Sequence, residues 1–109
     1  MARLLSEAVA AFEDNGVPVA LVKFSRDQEP PYAEARLNDT SYFFSDDATS
    51  RLLCDYDIIL YAERRDVVLE HRIEDALAAS EITIRRKSDG EREDLALVTV
   101  TFDIQVFER

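Results

Sequence analysis

The sequence predicts an α+β fold, an antiparallel β-sheet with two helices packed on one face, in the order α-β-β-β-α-β-β. Three observations predict it. Two segments repeat apolar residues at helical spacing, two longer ones alternate apolar and polar residues strictly, and short polar connections join the alternating segments. At 109 residues, with 47% hydrophobic residues, 2 Gly and 3 Pro, the composition is that of one globular domain spanning residues 1–109.

The first element is an amphipathic helix from about Ala2 to Asp14, with Leu5, Ala8, Val9 and Phe12 on one stripe. Asn15-Gly16 ends it, since glycine adopts the left-handed conformation of a helix terminus at little cost. Val17 to Phe24 is apolar and β-branched, and Pro18, which cannot donate to a ladder, belongs at the strand's start or on an edge. A polar connection from Ser25 ends in Pro30-Pro31, and Tyr32 to Leu37 forms the second strand. The two are expected to form a hairpin.

Asn38 to Ser50 is rich in Asn, Asp, Thr and Ser and reads as a loop around one aromatic cluster, Tyr42-Phe43-Phe44. Arg51 to Glu63 is the clearest strand. Its even positions, from Leu52 to Ala62, are core, and its odd face is mixed, offering Ile59 and Tyr61 to a partner. Asp66 is a suitable N-cap for a second helix running to about Ser80. Leu69, Ile73, Ala76 and Leu77 are its buried stripe, and Glu70, His71, Glu74 and Asp75 are expected to face water. Glu81 to Lys87 is a short strand, followed by a turn at Ser88-Asp89-Gly90 in a charged connection reaching Asp94. The last strand, Leu95 to Glu108, places Ala96, Val98, Val100, Phe102, Ile104 and Val106 inside, with Thr99, Thr101, Asp103 and Gln105 outside.

Charge narrows the function classes. With 23 acidic and 13 basic residues the net charge is −10, which disfavours sequence-specific nucleic-acid binding and an anionic membrane surface. Met1 to Phe12 carries Arg3 but no long apolar run, so a signal peptide is not expected, and the single thiol suits a reducing cytoplasm. One histidine, His71, and one cysteine, Cys54, fall short of a zinc ligand set. No Gly-x-Ser-x-Gly elbow or phosphate-cradling loop is present, and the two glycines read as turn residues. Neither enzyme, cofactor nor metal is therefore expected. His71 reads as a solvated surface residue and Cys54 as an inert core thiol.

Asp46-Asp47 and the strand pair Asp55 and Asp57 read as solvated charge, or as carboxylates pairing with Arg on a neighbouring copy. The aromatic triplet is the more informative feature. Three adjacent rings cannot all enter one core, so at least one is a candidate anchor for a protein–protein contact.

Several segments, taken in order, resemble the tail-completion or tail-terminator proteins of long-tailed bacteriophages and prophages. They are Val17-Pro18-Val19, Pro30-Pro31-Tyr32, Tyr42-Phe43-Phe44-Ser45-Asp46-Asp47, Tyr56 to Glu63 with Arg65-Asp66, Leu69-Glu70, Ile73-Glu74 and Val100 to Ile104. The resemblance implies a ring, typically six-fold, that caps the tail tube and meets the head connector. The partners it implies are other copies of the chain, the tube protein and the connector, in the bacterial host cytoplasm during assembly and then in the virion tail. Tyr42, Phe43, Phe44, Asp46, Asp47, Ile59 and Tyr61 are the interface candidates. The competing reading is a small regulatory or ligand-binding α+β domain that dimerises through an exposed strand edge.

Overall fold

The computed structural model describes residues 5–21, 29–44, 50–93 and 96–107. In chain order the elements are α1 (Leu5–Glu13), β1 (Val19–Leu21), β2 (Tyr32–Phe44), β3 (Ser50–Ala62), α2 (Val67–Ala79), β4 (Thr83–Arg92) and β5 (Leu97–Phe107). This is the expected order. The strands form one sheet in the order β1-β2-β3-β5-β4.

The expected antiparallel arrangement holds for every pair but one. β1 runs parallel to β2, with Val19 opposite Ala33 and Leu21 opposite Ala35, so these strands are not a hairpin. Ala33 N donates to Pro18 O at 2.9 Å, which sets the beginnings of the two strands side by side. A parallel return needs a long connection, and residues 22–31 supply it. Pro18 stands just ahead of this edge strand, where its missing N–H costs no ladder bond.

β2 and β3 are longer than expected. Asn38 to Phe44 is strand, not loop, and pairs with β3 as far as Phe44 opposite Ser50. The register shifts between Leu37 and Asp39, a bulge that absorbs Asn38. Cross-strand pairing has overridden the low strand propensity of Asn, Asp and Ser. β3 pairs with β5 only as far out as Leu53 opposite Phe107, so the hairpin tip extends beyond that register. The molecule is accordingly elongated, 50 × 25 × 22 Å.

The turn expected at Ser88-Asp89-Gly90 is mid-strand instead. β4 continues to Arg92, and the chain reverses where Ala96 N bonds Glu93 O. Gly90 sits opposite Thr99, where a Cβ would lie 3.3 Å from the Thr99 hydroxyl. Ala96, expected inside, is exposed in that turn with a φ of 55°.

Both helices cover the same face of the sheet. Phe12 of α1 meets Phe102 of β5 edge to face, with centroids 5.5 Å apart. Ile73 and Leu77 of α2 join Ile58, Leu60, Val100 and Ile104 in the same fully or nearly fully buried core. Gly16, with a φ of 81°, turns the chain out of α1, and Val17 N then bonds Phe12 O. The Asp66 side chain accepts from Leu69 N at 3.1 Å, the expected cap of α2.

Candidate interaction surface on the open sheet face

Two charge arrangements lie on opposite sides of the sheet. On the covered side, Glu70 of α2 is only 1% exposed, not solvated as its place in the helical pattern implied. Arg65 donates to both of its carboxylate oxygens, Nε at 2.8 Å and Nη2 at 2.9 Å. Lys87 of β4 adds a third contact at 2.9 Å and also reaches Glu74 at 2.6 Å. The Arg65 hydrogen bonds hold the Glu70 carboxyl below its usual range against the opposing effect of burial, and Lys87 adds to them. Arg65 also binds Asp89 of β4, so the group ties the start of α2 to that strand. Its role is to join elements.

Among the described residues the other side of the sheet carries no helix, and its residues divide into two groups. At one end Tyr32 and Tyr61 stack with centroids 4.9 Å apart, and Leu97 and the half-buried Ile59 pack around them. Tyr61 Oη donates to Glu34 Oε1 at 3.2 Å, and Arg36 binds the same oxygen at 3.1 Å. Burial first, then the Glu34 charge, raises the Tyr61 hydroxyl above its ordinary range. The Arg92 guanidinium lies 5.8 Å from the Tyr61 ring centroid.

At the other end Asp55, Asp57 and Asp103 come together. Asp57 stands directly opposite Asp103 across β3 and β5. Like charges so placed destabilise a sheet. Asp55 is satisfied by Arg85 at 2.7 Å and by Gln105 Nε2 at 3.0 Å. Asp57 makes no ion pair with another described residue. Burial raises its carboxyl above the ordinary value, Asp103 and Asp55 raise it further, and Arg86 offsets part of this. Asp103, expected outside, is 8% exposed, and its Oδ1 has no hydrogen-bond partner among the described residues.

The residues singled out from sequence do not gather at one place. Tyr61 is 3% exposed, covered within its own chain, while Ile59 beside it stays partly open. Tyr42, Phe43 and Phe44 lie in β2 opposite Leu52, Arg51 and Ser50, at the far end of the hairpin. They are ten to twelve positions along β2 from Tyr32, about 33–40 Å at ~3.3 Å per residue, and their side chains lie outside the described residues. Asp46 and Asp47 also lie outside the described residues. His71 is exposed on α2, and Cys54 is buried at 3%. Sequence reasoning missed Asp103 and its opposition to Asp57, which depends on the β3–β5 register.

Among the described residues no cluster of His, Cys, Asp and Glu is placed to hold a metal ion. A cleft of about 320 Å³ at the β4–β5 turn is lined by Glu91, Arg92, Glu93, Ala96, Leu97 and Val98. No described helix is long and apolar enough to cross a membrane.

No family model matches the chain, and no curated protein matches it. Among solved structures, the fold is similar to that of a chain in the virion of a native gene transfer agent particle. The TM-score is 0.52 at 10% identity, over 91% of this chain and 82% of that one. At this identity the likeness is one of fold.

Proposed function

We propose that the protein is a structural subunit of a phage-like particle, and within that class a tail-completion protein that caps the tail tube as a ring. The observation that carries the reading is a fold shared with a virion component over nine-tenths of the chain. The ordered segments from Val17 to Ile104 that resemble tail-terminator proteins make the assignment narrower. On this reading the partners are further copies of the chain, six in a closed ring, together with the tube protein and the head connector. The protein works through surfaces, without catalysis or a cofactor.

A ring needs two different, complementary patches on each subunit, joined by a rotation that closes. The two sides of this sheet differ in shape and charge, which suits such a contact. An interface of roughly 800 Å² per partner is expected once assembled. Dimerisation through a strand edge is less favoured at β4, where exposed Arg85, Arg86 and Lys87 guard the edge with charge. The test is to add the purified protein to tail tubes lacking their terminator and image them by electron microscopy. Density at one end of each tube and an end to elongation is the expected outcome, and protein that stays free of tubes would contradict it.

A further inference from the structure

The acidic end of the open face has an unmet electrostatic demand, and the opposite side of the molecule carries groups that fit it. Asp57 and Asp103 face each other, and Arg86 of β4 stands opposite Asp103 on its other side without ion-pairing to either among the described residues, while Asp103 Oδ1 is buried and has no hydrogen-bond partner among them. Arg86 is the one described cation that offsets the field at Asp57, and it does so without ion-pairing to it. Two opposed carboxylates without an ion pair favour a cation brought from outside, and the partly exposed Asp57 is the member it can reach. Beside this pair the half-buried Ile59 presents apolar surface.

On the helix side, the adjacent Val67 and Val68 at the start of α2 are 51% and 62% exposed and offer apolar surface to a partner. Arg64 and Arg72 flank them, both exposed and neither ion-paired to another described residue. Val68 and Arg72 are four positions apart in one helix and so lie on one face. Of the acidic groups around this stretch, Glu70 is buried and held by Arg65 and Lys87, Glu74 is held by Lys87, and Asp66 caps the helix, while Glu63 and Asp75 are exposed before and after it. Val67, Val68 and Arg72 are the exposed apolar and basic groups of the helix's first half.

We infer that the open sheet face of one copy docks onto the N-terminal half of α2 of a second copy, with Arg72 delivered to the Asp57–Asp103 pair and Val68 seated against Ile59. The occupant follows from charge complementarity and from matching apolar surface on the two sides of one chain. The net charge of −10 does not forbid it, because at physiological ionic strength charges further apart than about 8 Å are largely screened while close pairs are not. Such a contact joins two different patches and therefore propagates around a ring. It deepens the ring reading and rests on it for closure, but the contact itself forms between isolated subunits.

The experiment mixes two single-cysteine additions, Ile59→Cys and Val68→Cys, at high protein concentration under copper–phenanthroline oxidation. Cys54, being buried, serves as the internal control. A disulfide-linked heterodimer of the two variants is expected, at about fivefold or greater yield over either variant alone. Adding Arg72→Glu to the Val68→Cys chain should remove most of that yield, and adding Asp57→Arg to the Ile59→Cys chain should then restore it. Circular dichroism confirms that each variant is folded. Equal linkage of either variant to itself, or no linkage between folded variants, overturns the contact. Linkage by purified protein that nevertheless fails to cap tubes leaves the contact standing and overturns the tail reading. Capping that is indifferent to Arg72→Glu does the reverse.

Discussion

The two sides of the sheet handle buried carboxylates in opposite ways. On the helix-covered side, Glu70 is nearly inaccessible and is met by Arg65 and Lys87. On the open side, Asp57 and Asp103 stand opposite each other, and Arg86 offsets only part of what burial and the neighbouring carboxylates do to Asp57. The first arrangement is complete within one chain and serves folding. The second costs the isolated chain stability, and such a cost is expected where a surface is kept for a partner. Packing tells the same story. Among the described residues the covered side holds the main core, whereas the open side has one small aromatic cluster at one end.

The comparison can be broken most forcefully at the core. Phe102→Ala on the covered side should cost about 3–5 kcal/mol, read as a fall in denaturation midpoint, because Phe102 is fully buried against Phe12. A loss below 1 kcal/mol would mean that the helix layer is not tightly packed on the sheet.

Glu70→Gln comes next. It leaves Arg65 and Lys87 without their shared anion and should cost about 2–3 kcal/mol, less than a fully enclosed pair because both cations reach water. The pH dependence follows from the lowered carboxyl. Glu70 contributes stability that is present above its unfolded value of 4.5 and lost as pH falls through the lower folded value. The acid limb of the stability curve should therefore be shallower in the variant than in the wild type.

Asp57→Asn has the opposite sign. It should stabilise the free chain by about 1 kcal/mol at neutral pH, since it removes one of two opposed charges. The raised carboxyl means that ionised Asp57 weakens the fold above its folded value, and that this penalty disappears once pH drops below 3.8. The gain should thus shrink to nothing in acid. A destabilised variant would show that Asp57 is already satisfied within the chain. Ala96→Gly is the smallest effect, a gain of up to about 1 kcal/mol from relieving a positive φ in the β4–β5 turn, measurable by chemical denaturation.

Local pattern made much of this fold legible. The stripe from Leu5 to Phe12, the Asn15-Gly16 stop, the Asp66 cap and the alternation along Cys54 to Leu60 and Val100 to Val106 each encode an element without help from elsewhere. Pairing made the rest illegible. β1 is only three residues long and owes its parallel direction to Ala33 and its neighbours, distant in sequence. Asn38 to Ser41 and Ser88 to Gly90 carry turn residues yet are held in strands by their partners. Glu70 looked solvated because helical periodicity cannot register a lysine arriving from β4. The mixed character of the Ile59 face was readable, but the opposition of Asp57 to Asp103 needed the β3–β5 register. That register placed the acidic pair, and with it the surface proposed for docking.

Carboxyl footprinting compares that surface most directly in free protein and in assembled particles. With a carbodiimide and an amine label, Asp57 should react in the free chain and be protected in the particle, while exposed Glu13 at the end of α1 reacts equally in both. Equal labelling of Asp57 in the two states would contradict the claim that the open sheet face is the working surface of this protein.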